Sequence, residues 1–190
     1  MSTWEVVGAL FGLVSVWLTV RESIWCWPIG LVTVGAYVVV FWHAKLYADT
    51  GLQVVYVVLS LYGWWAWLHG GADARALRVE RTPGWAWGVS TLVSMASTAA
   101  LGALLYSHTD AAMPYWDAGT TSVSLVAQWL QTRKWIENWW LWIAVDAVYV
   151  GMYIVKHLYL TAGLYAAYLL LAIVGWRAWR KSLERSTEAV

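Results

Sequence analysis

The chain has 190 residues, of which 61% are hydrophobic and 12% charged, and its formal net charge at pH 7 is +1. Charged residues make up about a quarter of a typical soluble domain, so this composition excludes a water-soluble globule and predicts an integral membrane protein. The near-zero net charge argues against a nucleic-acid-binding protein, which would need a basic face.

Seven apolar stretches come close to the length of about 20 residues that a helix needs to cross a bilayer. In chain order these stretches are Trp4–Val20, Ile24–Trp42, Gly51–Leu68, Trp85–Leu105, Tyr115–Gln131, Trp135–Val155 and Leu160–Trp179. They are apolar on every side, whereas a surface helix of a soluble protein is apolar along one stripe. We therefore predict seven transmembrane helices, with a charged, solvated loop at 69–84 that includes Asp73 and Arg75.

The distribution of lysine and arginine indicates an orientation. With seven spans, one side of the membrane receives ten of the twelve cationic residues, and the other side receives only Lys45 and Lys156. Loops rich in Lys and Arg stay on the cytoplasmic side. We therefore predict that the N-terminus lies outside and the C-terminus lies in the cytoplasm.

Two parts of the chain match each other when the numbering of one is shifted by 112. The identical pairs include Arg21 and Arg133, Trp27 and Trp139, Tyr37 and Tyr149, Tyr56 and Tyr168, Gly63 and Gly175, and Trp67 and Trp179. Two three-span units in the same orientation need one extra crossing between them, which the fourth span supplies. The predicted fold is an all-α membrane protein with seven transmembrane helices in a 3+1+3 parallel-repeat arrangement, a transporter plan with the substrate site near mid-membrane. Its segments are 1–68 for the first repeat, 69–114 for the loop and linker helix, 115–180 for the second repeat and 181–190 for a cytoplasmic tail.

Asp146 is the only acidic residue deep inside one of the apolar stretches. A carboxylate at the centre of a bilayer costs several kcal/mol, roughly 2.5–3.5 on insertion scales, unless it faces a partner or a water-filled cavity. On a helix it shares one face with Trp139, Trp142 and Tyr149, which stand three and four residues apart. Aromatic walls around an anion suit a flat cationic ring. These four residues are therefore the predicted substrate site.

Two amides extend this prediction, and other roles stay open. Gln53 and Gln128 lie near the ends of the third and fifth spans, where either side chain can bond a hydroxyl or a carboxamide of a substrate. In the competing interpretation the tryptophans pack between helices, Asp146 bonds a neighbouring Ser, Thr or Tyr, and each glutamine bridges two helices. The sequence has no phosphate-binding glycine loop, zinc-type His/Glu pair or recognisable nucleophile with a base. Neither an enzyme nor a metal or other cofactor is therefore predicted.

Several short motifs resemble the PnuC family of vitamin transporters, over about residues 4–181. They are Trp25–Gly30 (WCWPIG), Leu61–Trp67 (LYGWWAW), Glu137–Asp146 (ENWWLWIAVD), Lys156–Thr161 (KHLYLT) and Gly175–Trp179 (GWRAW). The resemblance implies a fold like that of the SWEET sugar transporters, a homotrimer in the bacterial cytoplasmic (inner) membrane, and facilitated diffusion of a vitamin. That vitamin is typically nicotinamide riboside, which a separate cytoplasmic kinase phosphorylates and so traps.

The resemblance leaves the vitamin open. In the nicotinamide riboside branch the site follows a Trp-x-x-Trp-x-x-x-Asn pattern on the sixth span, which reads Trp139, Trp142 and Asp146 here. Sister branches are similar to thiamine and riboflavin carriers. From other classes, an intramembrane enzyme and a non-autonomous substrate-binding subunit of a larger transporter are the alternatives.

Overall fold

The computed structural model describes residues 3–43, 45, 47–71, 76–109 and 113–188. These residues form seven α-helices: α1 (Thr3–Val20), α2 (Cys26–His43), α3 (Tyr47–His69), α4 (Gly84–His108), α5 (Pro114–Thr132), α6 (Asn138–Val155) and α7 (Tyr159–Glu188). Each begins and ends within a few residues of its predicted stretch, except that α7 continues well past Trp179, to Glu188. Asp73 and Arg75 of the predicted loop lie outside the described residues.

Among the described helices, the six other than α5 are long and apolar enough to cross a membrane. α5 is less apolar because it carries small polar residues, of which Thr120, Ser122 and Ser124 are buried. Small residues at such positions let neighbouring helix backbones approach closely. The predicted apolar span is thus confirmed for six helices, and for α5 the membrane crossing stays a prediction.

Six of the helices form a closed ring. α1 packs against α2 and α7, α3 packs against α2 and α5, and α6 packs against α5 and α7. α4 packs chiefly on α5 and stands outside the ring. The ring therefore takes three helices from each copy of the internal repeat, and its interior is bounded by both copies.

The backbone repeats at the same interval as the sequence. The non-glycine residues with positive φ in the described chain are Glu22 (54°), Lys45 (59°), Lys134 (53°) and His157 (57°). Lys134 is the repeat match of Glu22, and His157 is the repeat match of Lys45. A left-handed conformation is uncommon outside glycine, so its recurrence at matched positions shows that the turns after α1 and α2 have the same form as the turns after α5 and α6.

Side-chain packing repeats in the same way. In the first copy, a Cβ added at Gly63 would stand closer than 3.0 Å to the ring of Trp27, and in the second copy a Cβ at Gly175 would stand 2.5 Å from the ring of Trp139. Both tryptophans are almost fully buried, at 2% and 1% exposure. Only glycine lets the third helix of each copy approach the indole of the second helix this closely.

The two copies exchange reciprocal hydrogen bonds at one end of the ring. The indole Nε1 of Trp67 donates to the carbonyl oxygen of Gln131 at 3.0 Å, and that of Trp179 donates to the carbonyl oxygen of Thr19 at 3.0 Å. The two donors, Trp67 and Trp179, are repeat matches of each other, and so are the two acceptors, Gln131 and Thr19. Each copy therefore donates one bond to the other copy and accepts one from it. We call this the basic end, because α1, α3 and α5 finish here beside most of the arginines.

The segment between α3 and α4 crosses the basic end. Glu80 forms an isolated parallel bridge with Trp135: its N–H donates to the Lys134 carbonyl at 3.2 Å, and its carbonyl accepts from the Ile136 N–H at 2.9 Å. The neighbouring Val79 is 2% exposed and belongs to the apolar core at this end. The linker thus ties the turn between α5 and α6 to the end of α3.

Candidate functional site

A cavity of about 260 Å³ lies inside the ring, and all six ring helices contribute to its wall. Glycines and small polar residues of α1 and α2 form one side, and aromatic residues of α6 and α7 form the other. Thr19, Trp27, Gln131 and Trp139 form the part of the wall nearest the basic end. The cavity therefore lies between the helices of the two repeat copies.

Asp146 lines this cavity from the middle of α6 and is 6% exposed. No hydrogen bond or salt bridge joins its carboxylate to another residue in the described part of the chain. In the competing interpretation, Asp146 bonds a neighbouring Ser, Thr or Tyr. The described residues form no such bond. A carboxylate held in this position has its acceptor capacity available for a ligand.

Trp142 is the aromatic wall beside Asp146. It lies one helical turn earlier on α6, lines the cavity, and its indole Nε1 donates to Gln131 Oε1 at 3.2 Å. This hydrogen bond joins α6 to α5 and restrains the indole. The ring of Trp142 is thus held in place while part of it faces the cavity.

Trp139 forms part of the cavity floor, by which we mean the part of the wall nearest the basic end. It is more deeply buried than Trp142. Its ring meets Trp179 edge-on, with centroids 5.4 Å apart and an interplanar angle of 86°. In the first copy Trp27 meets Trp67 in the same way, at 5.3 Å and 88°. Trp139 therefore packs between helices and also lines the cavity, and its contact with a ligand stays a prediction.

Two indole N–H groups in the same part of the cavity wall lack a hydrogen-bond partner in the part of the chain that the structure describes. The indole N–H groups of Trp27 and Trp139 have no acceptor among the described residues, and both residues line the cavity. Buried donors of this kind are costly and rare in folded proteins. Because they occupy matched positions in the two copies, the arrangement is a property of the repeat.

The remaining predicted site residues separate into two groups. Gln128 lines the cavity, and its contact with a substrate stays a prediction. Tyr149 is not among the lining residues and packs in a cluster of tyrosines, with its ring centroid 4.7 Å from that of Tyr165. Gln53 is half-buried near the start of α3 and is also absent from the lining. The cavity therefore brings together Trp139, Trp142, Asp146 and Gln128, but neither Tyr149 nor Gln53.

Other lining residues escaped the sequence prediction. Tyr56, Tyr165, Tyr168 and Gln131 all face the cavity. Tyr56 and Tyr168 form one of the identical pairs of the repeat. That identity could have marked both tyrosines as candidate site residues. Gln131 carried no such signal, because its match in the first copy is Thr19.

The family model described as "Nicotinamide mononucleotide transporter" matches residues 2–181 of this chain. The chain belongs to this family. The result confirms the resemblance drawn from the tryptophan-rich motifs, and it identifies the protein as an integral membrane transporter.

The chain is also similar to individual transporters. The chain is 26% identical to the nicotinamide riboside transporter PnuC of Escherichia coli, over all of this chain and 90% of that one. It is 29% identical to the riboflavin/roseoflavin transporter RibM of Streptomyces davaonensis, over 98% and 88%. Its structure resembles the crystal structure of the vitamin B3 transporter PnuC, with a TM-score of 0.75, 26% identity, and coverage of 96% and 82%.

Proposed function

We propose that this protein is a facilitative transporter that takes up nicotinamide riboside. The observation that supports this most directly is the unpartnered carboxylate of Asp146 beside the restrained indole of Trp142, inside a cavity between the repeats. Relatives named for nicotinamide riboside transport match the chain over its whole length.

The chemistry of the cavity fits a flat cation with hydroxyl groups. The pyridinium of nicotinamide riboside gains about 0.5–2 kcal/mol from a good contact with an indole face, and it neutralises a carboxylate that is otherwise costly in the membrane. Gln128, Tyr56 and Tyr168 offer partners for the ribose hydroxyls and the carboxamide. Each part of the substrate therefore has a matching group on the wall.

The proposal includes the arrangement in the membrane. The seven helices form a 3+1+3 parallel repeat with α4 as the linker, so that α5 crosses the membrane inside the bundle. The positive-inside rule puts the basic end in the cytoplasm, the N-terminus outside and the protein in the bacterial cytoplasmic membrane. The matched turns, the matched Trp–Gly contacts and the reciprocal indole bonds support the repeat.

Transport runs down the substrate gradient, and phosphorylation by a separate cytoplasmic kinase retains the product. The sequence has no phosphate-binding motif that would drive transport by hydrolysis. A uniporter accumulates its solute only when a later reaction removes it, which is the role of the kinase. Assembly as a homotrimer follows from the family resemblance.

Riboflavin is the second candidate substrate, because a riboflavin/roseoflavin transporter is 29% identical to this chain. Thiamine, a cation, fits the same electrostatic argument as nicotinamide riboside. The cavity volume of 260 Å³ lies below the usual range of about 300–1,000 Å³ for drug-sized ligands. This favours a nucleoside over the three-ring flavin.

The test is a binding titration of nicotinamide riboside, thiamine and riboflavin against the purified protein and Asp146→Asn. We expect nicotinamide riboside to bind most tightly, and the substitution to weaken it by at least about tenfold, or 1.4 kcal/mol. Asp117→Asn is the matched control, because Asp117 lies on α5 away from the cavity. Unchanged affinity in Asp146→Asn would exclude the charge interaction, and tight binding of riboflavin alone would establish the second candidate.

A further inference from the structure

One ion pair joins the two repeat copies at the basic end. Lys134 Nζ lies 3.1 Å from Glu22 Oε2, and the two residues are repeat matches, so each occupies the other's place in its own copy. A residue in contact with its own repeat match lies beside the axis that relates the copies. We call Glu22 and Lys134 the axis pair.

The axis pair lies directly beyond the cavity floor. Glu22 follows Thr19 by three positions in the turn after α1, and Lys134 follows Gln131 by three positions in the turn after α5. Thr19 and Gln131 line the cavity. Glu22 lines a separate cleft at the basic end, on the side facing away from the cavity. The pair therefore lies between residues that line the cavity and residues that line that cleft.

The surroundings of the pair make it a specific contact. The side chain of Lys134 is only 9% exposed, and its Nζ also lies 4.6 Å from the ring centroid of Trp67. The ring centroid of Trp67 in turn lies 5.9 Å from that of its own repeat match, Trp179. The ion pair and the two reciprocal indole bonds form one set of contacts, and each of them joins the first copy to the second.

We propose that the axis pair is the latch of the gate at the basic end: it holds the two copies together while the substrate is in the cavity, and it separates to release the substrate. This inference rests on the proposed transport function. Alternating access by rocking of one repeat against the other opens this end only if contacts across the axis break. An ion pair suits that purpose because both partners regain water when the end opens, and Glu22 already borders the outer cleft.

The native cysteine reports on this gate. Cys26 is the only cysteine of the chain, it lines the cavity, and it is 2% exposed. A bulky, membrane-impermeant maleimide added to inverted membrane vesicles reaches Cys26 only when the basic end opens. This measurement needs no substrate, so it tests the latch even if nicotinamide riboside proves not to bind.

The pseudo-equivalence of the two positions supplies a rescue variant. Both residues have the same left-handed backbone, with φ of 54° and 53°. Exchanging them in Glu22→Lys/Lys134→Glu should restore the pair, with the introduced lysine expected beside Trp179, the repeat match of Trp67. The matched control is Arg180→Gln, which breaks an exposed ion pair with Glu184 on α7 away from the axis.

We expect Glu22→Gln to label about tenfold faster than wild type, which corresponds to 1.4 kcal/mol in the gate equilibrium. The exchanged variant and Arg180→Gln should label at the wild-type rate. Labelling of Glu22→Gln at the wild-type rate in both inverted and right-side-out vesicles, or fast labelling in the exchanged variant, would overturn the latch.

Further outcomes separate the latch from folding defects, from the proposed orientation and from the proposed substrate. If Glu22→Gln does not fold, the exchanged variant decides alone: the latch requires it to fold and to label slowly. Faster labelling of Glu22→Gln in right-side-out vesicles, and not in inverted ones, would support the latch while overturning the proposed orientation. Absence of nicotinamide riboside binding to wild type would overturn the proposed substrate and leave the labelling result intact.

Discussion

At the scale of single residues, the candidate site is centred on one carboxylate and one indole, those of Asp146 and Trp142. The sequence predicts Asp146 as a substrate-site residue because it is the only acidic residue deep inside an apolar stretch. Placing an ionisable side chain there costs free energy, so such residues are usually functional. The structure adds what a sequence cannot contain: the cavity beside the carboxylate and the hydrogen bond from Trp142 to Gln131. The bond matters because it restrains the aromatic wall before the substrate arrives.

Trp142→Ala should weaken nicotinamide riboside binding by about 0.5–2 kcal/mol, the range of a cation–π contact. Trp142→Phe keeps an aromatic face and loses the bond to Gln131, so we expect an affinity between those of Trp142→Ala and the wild type. Titration calorimetry on the purified variants measures both.

Trp140→Ala is the control for this comparison. Trp140 is 51% exposed on the same helix, packs against Trp176 and does not line the cavity. Its removal should leave the affinity unchanged. Equal affinities of Trp142→Ala and wild type would show that the indole face does not contact the substrate.

At the scale of helices, the two copies use glycine in the same way. Gly63 and Gly175 are each covered by a buried tryptophan, whereas among the described residues no atom from outside the local helix backbone lies within 4 Å of a Cβ built at Gly51 or Gly163. Gly51 and Gly163 are also repeat matches of each other. In the sequence the two glycine pairs look equivalent, and only the packing shows which pair must be glycine.

Gly175→Ala should lower the free energy of unfolding by about 1–3 kcal/mol, because the added methyl group overpacks the ring of Trp139. It should also lower substrate affinity, since Trp139 lines the cavity. Thermal unfolding in detergent and a binding titration measure the two effects.

Gly163→Ala on the same helix is the matched control. It adds a methyl group in open space and removes a flexible glycine, so stability should stay equal or rise by up to about 1 kcal/mol. If both alanine variants unfold like the wild type, the close approach of α7 to Trp139 does not contribute to stability.

At the scale of the whole molecule, the ring explains how one small chain encloses a site. Three helices from each copy surround the cavity, and contacts between repeat matches close the basic end. Because one chain surrounds the whole cavity, we expect it to transport its substrate without a partner subunit.

Liposomes that contain only the purified chain should therefore take up nicotinamide riboside without ATP or an ion gradient. Uptake should stop when the inner concentration equals the outer one, because no energy source is coupled. A radiolabelled uptake assay measures this, with Asp146→Asn liposomes as the control. No uptake by a chain that binds the substrate would support the alternative of a non-autonomous subunit.

The sequence by itself determined the membrane class, the positions of the helices and the internal repeat. These follow from hydrophobicity, span length and residue identity, which are local properties of the chain. It also determined that Asp146 and its tryptophan neighbours were the residues to consider, because the cost of a charge in an apolar segment depends on that segment alone.

Only the tertiary structure decided which side chains share the cavity. Tyr149 lies on the predicted face of α6, but Tyr165 of α7 packs against it. Gln131 looked like the end of a span, yet it holds Trp142 and accepts the bond from Trp67. These outcomes depend on which helices are neighbours and how closely they approach, and helix-to-helix packing is fixed by contacts between residues far apart in the chain.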